Sequence, residues 1–140
     1  MIQRRQSLWL FLSTLGAILC FMFPFAVGGE IVGKATVPVT LRLDSGSRFL
    51  LLVMTGATLI LSTVIIFLFK NRKQQMQLCL VGILLSVLLI ILYIIQMNKL
   101  IKPVLALSCI FPFAIVVGYF MAFRDIRKDE KLIKTLDKLR

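Results

Sequence analysis

Residues 78–97 read LCLVGILLSVLLIILYIIQM, a run that contains no Asp, Glu, Lys or Arg. Its length matches the roughly 20 residues that a helix needs to cross a hydrocarbon layer about 30 Å thick. Lipid offers no hydrogen-bond partners to the backbone, so such a run must satisfy its own peptide groups as a helix. The alternating polarity of a membrane β-strand is missing from it. This stretch therefore predicts a transmembrane helix.

Three further blocks share this character, and none of them contains a charged residue: Leu8–Val27, Leu50–Phe69 and Val104–Phe123. The whole chain has 140 residues, of which 59% are hydrophobic and only 16% charged, against roughly 25% charged in a soluble domain. The first block is longer than the apolar core of a signal peptide, about 7–15 residues, so we expect it to be retained. The sequence predicts an all-α integral membrane protein, with a four-helix bundle over residues 1–123.

The distribution of Lys and Arg predicts the orientation of this bundle. The N-terminus, the connection around Lys70 and the C-terminal tail lie on one side and together hold twelve basic residues. The segments 28–49 and 98–103 lie on the other side and hold five. By the positive-inside rule both termini are expected in the cytoplasm. The net charge of +11 is then explained by this bias and by anionic lipid headgroups, and we expect no nucleic-acid partner.

The external segment, residues 28–49, is the one connection with room for structure of its own. Residues Thr36–Leu43 partly alternate in polarity and precede the turn signal Asp44-Ser45-Gly46-Ser47, which predicts a short strand or an irregular hairpin. Pro38 would confine such a strand to an edge. The other connections are short, so consecutive helices are expected to be antiparallel neighbours.

The sequence offers little equipment for catalysis or metal binding. It contains no histidine, the commonest general base and metal ligand. Cys20, Cys79 and Cys109 lie in three different hydrophobic segments without a CxxC pair, so we expect neither a metal nor a cofactor. Acidic and basic residues are absent from all four blocks, where ion-coupled sites usually reveal themselves.

Polar and small residues within the blocks predict helix packing. Small residues four positions apart allow helix backbones to approach closely in lipid. They occur as Ser13/Ala17, Thr58/Ser62, Gly82/Ser86 and Ala114/Gly118/Ala122. The string FPFA occurs twice and places Pro24 and Pro112 in predicted helices, where each is expected to cause a kink. Pro24 would lie near the outer end of the first span and Pro112 roughly 13 Å below the outer end of the fourth, at 1.5 Å per residue. Because the two depths differ, coincidence or a shared packing device is favoured over a transport repeat.

The tail, residues 124–140, reads RDIRKDEKLIKTLDKLR and is expected to continue the fourth span as a cytoplasmic amphipathic helix. Its apolar residues fall within an arc of roughly 140°. Such a helix can lie on anionic headgroups or fit the groove of a partner, and four acids among seven bases favour a partner. The candidate docking residues are Arg124, Ile126, Arg127, Lys128, Asp129, Glu130, Leu132, Ile133, Leu136, Leu139 and Arg140.

The two ends of the chain carry a resemblance. The start MIQR, at residues 1–4, and the tail motif R-x-I-R-K-D-E-K-L-I-K-x-x-D-K-L-R resemble the Bacteroidetes family catalogued as domain of unknown function 4293. The resemblance implies a small multi-pass protein of a Gram-negative inner membrane, with no established activity. It also implies that Arg127, Lys128, Asp129, Glu130 and Arg140 matter to the family.

Two hypotheses of different classes follow. The first is a non-enzymatic accessory or scaffolding subunit of a larger bacterial inner-membrane assembly, which binds a membrane-protein partner or a second copy through its C-terminal helix. The second is a small oligomeric transporter or channel with a water-accessible path. The candidate lining residues for that path are Thr55, Thr58, Ser62, Ser86 and Ser108. An intramembrane enzyme ranks behind both, because it would depend on Ser, Thr or Tyr without a base partner.

Overall fold

The computed structural model describes residues 2–30, 39–68 and 70–140. Four helices are present in these ranges: α1 (Ile2–Met22), α2 (Phe49–Phe67), α3 (Arg72–Met97) and α4 (Ile110–Lys138). The strands are β1 (Ala26–Glu30), β2 (Val39–Leu43) and β3 (Ile101–Leu105), and a 3-10 turn at Leu107–Cys109 precedes α4. All four helices are long and apolar enough to cross a membrane, which fits a multi-pass membrane protein.

The four helices form a ring of neighbours. α1 packs against α2 and α4, and α3 packs against the same two helices. Because the chain reverses between consecutive helices, one end of the bundle holds the start of α1, the α2–α3 connection and the second half of α4. This end is called the charged end below. The opposite end holds the three strands and is called the sheet end.

The four predicted helices are confirmed, but the chain is not all-α, because a three-stranded antiparallel sheet covers the sheet end in the order β2-β1-β3. The short strand expected within Thr36–Leu43 is present as β2, whereas Thr36 and Pro38 lie outside the described residues. β1 and β3 were predicted as helix ends or as a short connection. Hydropathy does not distinguish an apolar strand from the end of an apolar helix, which accounts for the error.

Local sequence explains why these segments leave the helices. Gly28 and Gly29 lie in β1 and are poor helix formers. A Cβ on Gly28 would lie 2.8 Å from the Leu100 Cβ, so only glycine permits this close approach. Pro103 lies in β3, an edge strand, the position where a missing N–H is tolerated. The register between β1 and β3 shifts between Val27 and Gly29.

The helix limits differ from the predicted spans at several ends. α1 ends at Met22, five residues before the predicted limit of the first span, and Val104 lies in β3 and not in the fourth span. α3 begins at Arg72 and therefore includes a polar first turn that hydropathy had excluded. α4 begins at Ile110 and runs without interruption to Lys138, so the predicted continuation of the fourth span into the tail is confirmed.

The predicted helix kinks at Pro24 and Pro112 are wrong. Pro24 follows the end of α1, and Pro112 is the third residue of α4, where the N–H has no intrahelical partner to lose. Both prolines therefore lie at the sheet end, and the predicted difference in depth between them is also wrong. The two FPFA strings contact each other there: the ring centroids of Phe23 and Phe111 are 5.8 Å apart.

Two buried clusters fill the bundle. One lies towards the charged end and centres on Tyr119, Ile65 and Ile115, whereas the other lies towards the sheet end and centres on Tyr93, Leu51 and Leu89. In each of the four apolar windows only 28 to 33% of the residues are buried. The outward faces are therefore apolar as well, as expected of helices surrounded by lipid.

Candidate docking surface and groove at the charged end

The face of α4 that packs against the bundle is buried up to Asp129 and exposed from Lys131 onward. Ile126 is 1% exposed and belongs to the buried cluster, and Asp129 is 6% exposed. Every residue from Lys131 to Arg140 is exposed. The last turns of α4 thus extend beyond the bundle, over about 12 Å from Lys131 to Lys138 at 1.5 Å per residue.

An apolar stripe follows this extension. Leu132 is 51% exposed, Leu136 is 65% and Leu139 is 81%, and Ile133 adds a fourth apolar side chain with 39% exposure. At 100° per residue these positions lie on the same side of the helix as Ile126 and Asp129. The bundle-facing side of α4 therefore continues past the bundle as an uncovered apolar surface. This set of four residues is called the tail stripe below.

The side of the tail helix away from the tail stripe carries charged side chains, two of which form an ion pair. The Lys134 Nζ lies 2.9 Å from a Glu130 carboxylate oxygen, an i,i+4 ion pair. The hydrogen bond from Lys134 and its charge lower the pKa of the Glu130 carboxyl below its ordinary value. Because this pair is accessible to solvent, it contributes little to helix stability.

Two of the predicted docking residues serve the bundle itself. Ile126 packs in the cluster near the charged end, and Asp129 accepts a hydrogen bond of 2.5 Å from the Gln6 side-chain amide of α1. Among the described residues, the second carboxylate oxygen of Asp129 is buried without a hydrogen-bond partner, as is one terminal nitrogen of Arg72. Ile126 and Asp129 are therefore occupied by contacts within the bundle, and on this side of the helix the exposed surface begins beyond Asp129.

A groove of about 610 Å³ lies between α1 and α4 at the charged end. From α1 it takes Arg5, Leu8, Trp9 and Leu12, and from α4 it takes Met121, Arg124, Asp125 and Lys128. Each set is spaced i, i+3, i+4, i+7, which places its members on one helix face. Sequence reasoning assigned Arg124 and Lys128 to partner docking and did not connect them with Arg5, because nothing local to either segment indicates that they share a groove.

A smaller groove of about 400 Å³ runs along the adjacent face of α4. Phe120 and Phe123 form its apolar part, and Arg127 and Lys131 are the basic residues that it does not share with the first groove. Arg124 and Lys128 separate the two grooves and line both. α4 therefore presents a continuous basic face where its apolar part ends.

The predicted packing residues lie mainly in the interior, and all except the half-buried Ala114 are buried. A Cβ on Gly118 would lie 3.0 Å from the Ser13 Cβ, and one on Gly82 would lie 2.5 Å from a ring carbon of Tyr119. These glycines allow α4 to approach α1 and α3 closely. The buried members are Ser13, Ala17, Thr58, Ser62, Gly82, Ser86, Gly118 and Ala122.

Four of the five hydroxyl groups proposed to line a transport path donate to backbone carbonyls, whereas the buried Thr55 hydroxyl has no hydrogen-bond partner among the described residues. Thr58 donates to the Thr55 carbonyl, and Ser62 and Ser86 donate to carbonyls of their own helices, each at 2.8 Å. Ser108 donates to the Pro24 carbonyl. Thr55 is buried in α2. Local hydrogen bonds therefore account for the polarity of Thr58, Ser62, Ser86 and Ser108.

A polar contact at the sheet end was not predicted. The buried Ser45 hydroxyl donates to the Cys20 carbonyl (2.6 Å) and is 2.8 Å from the Tyr93 hydroxyl. The Tyr93 ring stacks on Phe25 with centroids 4.5 Å apart. These contacts attach the turn before α2 to α1 and α3 at the sheet end of the bundle. The sequence indicated a turn at Ser45 but gave no signal that this residue would meet Tyr93.

The three cysteines belong to three separate elements of the fold. Cys20 lies in α1, Cys79 in α3 and Cys109 in the 3-10 turn, and all three are free thiols. Within residues 2–30, 39–68 and 70–140, no three His, Cys, Asp or Glu side chains are close enough to share a metal ion.

Comparison with known proteins gives one match. Residues 2–139 match the family model described as Domain of unknown function (DUF4293). No curated protein and no solved structure matches the chain. The chain belongs to this family, as the motifs at its two ends indicated.

Proposed function

We propose that this family member is a non-enzymatic accessory or scaffolding subunit of a larger bacterial inner-membrane assembly. It would bind a membrane-protein partner through the end of α4. The observation that supports this proposal best is the tail stripe, Leu132, Ile133, Leu136 and Leu139. It continues the bundle-facing side of α4 to a region where no helix among the described residues covers it.

The composition of the tail favours a protein groove over a lipid surface as the site for this stripe. A helix bound only to anionic headgroups is usually basic on its entire polar face, whereas Glu130, Asp137 and Asp125 interrupt the basic residues here. An apolar stripe with anchors at i, i+4 and i+7 is the pattern that helix-in-groove recognition uses. Leu132, Leu136 and Leu139 have this spacing.

The proposed location combines the family resemblance with the charge distribution. Twelve Lys and Arg residues belong to the segments at the charged end and five to those at the sheet end, which favours cytoplasmic termini. The resemblance to Bacteroidetes proteins favours the inner membrane of a Gram-negative cell. The docking helix would then be available to partners with cytoplasmic or membrane-embedded surfaces.

The absence of histidine from the sequence supports a role without catalysis, since most proton-transfer chemistry near neutral pH relies on this residue. The buried tyrosines also have structural partners: the Tyr119 hydroxyl donates to the Thr58 carbonyl at 2.5 Å, and Tyr93 contacts Ser45. These contacts favour packing roles for both side chains.

The test is a native purification in mild detergent from the source membranes, followed by identification of stoichiometric companions. Leu132→Ser combined with Leu136→Ser is expected to release the partner, because both changes remove apolar contacts from the tail stripe. Lys131→Gln combined with Lys138→Gln alters the opposite side of the same helix and is expected to retain it. A photo-crosslinking residue at Leu136 should capture the same partner, whereas one at Lys138 should not.

Three outcomes would contradict the proposal. The full-length chain could elute without a stoichiometric companion, the Leu→Ser variant could retain the companion, or both double variants could lose it equally. The last result would show that the interaction is not confined to the tail stripe, because the two variants alter opposite sides of the helix.

A further inference from the structure

We propose that the groove between α1 and α4 at the charged end binds one anionic phospholipid, with its phosphate held by Arg5, Arg124 and Lys128. This inference concerns the bundle itself and does not depend on docking by the tail stripe. It rests on the composition of the groove, on its polarity from one end to the other and on its position along the spans.

The groove has a surplus of positive charge. Arg5, Arg124 and Lys128 are exposed cations on its wall, and the half-buried Asp125 is the acidic residue among its lining groups. The lining side chains thus supply two more positive than negative charges. Guanidinium groups donate paired hydrogen bonds to phosphate oxygens, so two arginines from facing helices are well suited to one phosphodiester.

The groove is basic at one end and apolar along the rest, and a phospholipid likewise has a charged headgroup followed by apolar acyl chains. α1 and α4 are antiparallel neighbours, so Arg5 lies towards Lys128 and Leu12 lies towards Met121. The cations therefore occupy the charged end, and Leu8, Leu12 and Met121 line the part that is closer to the middle of the bundle. A headgroup at the basic end would place its acyl chains along these apolar side chains.

The position along the spans fits the membrane interface. Trp9 is half-buried in the groove wall, and tryptophan is enriched at the level of lipid headgroups. The exposed side chains of Leu8 and Leu12 face outward from the bundle, where lipid is the natural neighbour. A volume of about 610 Å³ lies within the range of sites that accept small molecules. Basic pockets between helices are the usual form of sites for anionic headgroups.

The experiment uses the full-length chain in mild detergent and native mass spectrometry with added phosphatidylglycerol or phosphatidylcholine. The wild type is expected to retain phosphatidylglycerol in preference to phosphatidylcholine. Arg5→Gln combined with Arg124→Gln should weaken phosphatidylglycerol binding by about 25-fold, since one cation near an anionic surface contributes about fivefold. Arg127→Gln combined with Lys131→Gln removes the same charge from the smaller groove alone and should leave this binding largely intact.

Several results would overturn the proposal. Equal loss in the two double variants would indicate a diffuse basic surface, and equal retention of the two lipids would indicate apolar contact alone. Displacement of the lipid by millimolar inorganic phosphate would indicate a site for free anions. If Arg5→Gln combined with Arg124→Gln changed the monomer–dimer ratio and not the amount of bound lipid, the groove would be an interface between two copies of the chain. Unfolding midpoints measured beside each titration distinguish lost binding from lost fold, because the substituted side chains are exposed.

Discussion

Gly82 of α3 lies against the ring of Tyr119 of α4, and a Cβ at this position would come within 2.5 to 2.9 Å of three ring carbons. The ring has little freedom to move, because its hydroxyl donates to the Thr58 carbonyl of α2 at 2.5 Å. Gly82 thus determines how closely three of the four helices approach one another.

Gly82→Ala is therefore expected to lower the free energy of unfolding by roughly 1–3 kcal/mol, the usual cost of overpacking a buried site. This loss should exceed the gain of about 1 kcal/mol that alanine brings to a helix. The measurement is the thermal unfolding midpoint of the purified protein in one fixed detergent. Tyr119→Phe in the same background would show how much of the effect depends on the hydroxyl bond.

Gly56→Ala is the matched control, since nothing lies within 4 Å of a Cβ built at Gly56 of α2. This change should leave stability unaltered or raise it by up to about 1 kcal/mol. Equal midpoints for the two alanine variants would contradict the close contact between Gly82 and Tyr119.

At the scale of single residues, the sequence indicates which side chains are small or polar but not which ones meet. The four-residue spacing of Gly82 and Ser86 predicted a packing face, and both residues are buried. The contact between Ser45 and Tyr93 joins residues 48 positions apart, so no local pattern could predict it. The same reason applies to Gln6 and Asp129, which lie 123 positions apart.

At the scale of elements, the existence of the helices could be predicted and their ends could not. A charge-free run of about twenty residues leaves few alternatives in lipid, which explains the success. β1 and β3 pair with each other although the aligned partners Ala26 and Leu105 are 79 positions apart in the sequence. Each strand alone is only a short segment of five residues. Strand pairing over such a distance is specified by tertiary contacts.

The division of α4 into a packed part and an exposed part predicts different effects for two truncations. A chain that ends after Glu130 retains Ile126 and Asp129 and should unfold within a few degrees of the full-length protein. A chain that ends after Phe123 loses the buried Ile126 and the acceptor of the Gln6 amide. It should be less stable by roughly 3–5 kcal/mol, from lost burial of an isoleucine and an unsatisfied buried group.

Thermal unfolding of both truncated chains in the same detergent checks this prediction. If ending the chain after Glu130 destabilises it as much as ending it after Phe123, the last ten residues must pack on the bundle and would not be free to bind a partner. The Glu130 truncation is for this reason the better control for the docking experiment, since it removes the tail stripe and leaves the bundle contacts in place.

At the scale of the whole molecule, the asymmetry of charge between the two ends predicts the orientation in the membrane. The charged end gathers Arg5, Lys70, Arg72, Lys73 and the basic residues of α4 beyond Phe123. The short connections at the sheet end contain fewer basic residues, and the positive-inside rule depends on such short segments near the spans. The same asymmetry places the groove and the tail stripe on one side of the membrane.

Single cysteines at the two ends test this orientation directly. Ser47 at the sheet end and Lys138 at the charged end are both exposed. The native Cys20 and Cys79 are buried. The unmodified chain measures the background reaction of Cys109. In spheroplasts, Ser47→Cys should react with a membrane-impermeant maleimide, and Lys138→Cys should react only after lysis. Reaction of Lys138→Cys in intact spheroplasts would invert the orientation and place the tail stripe outside the cytoplasm. The lipid groove would keep its chemistry in that case but face the other leaflet, so this result would exclude cytoplasmic partners while leaving the phospholipid site to be tested separately.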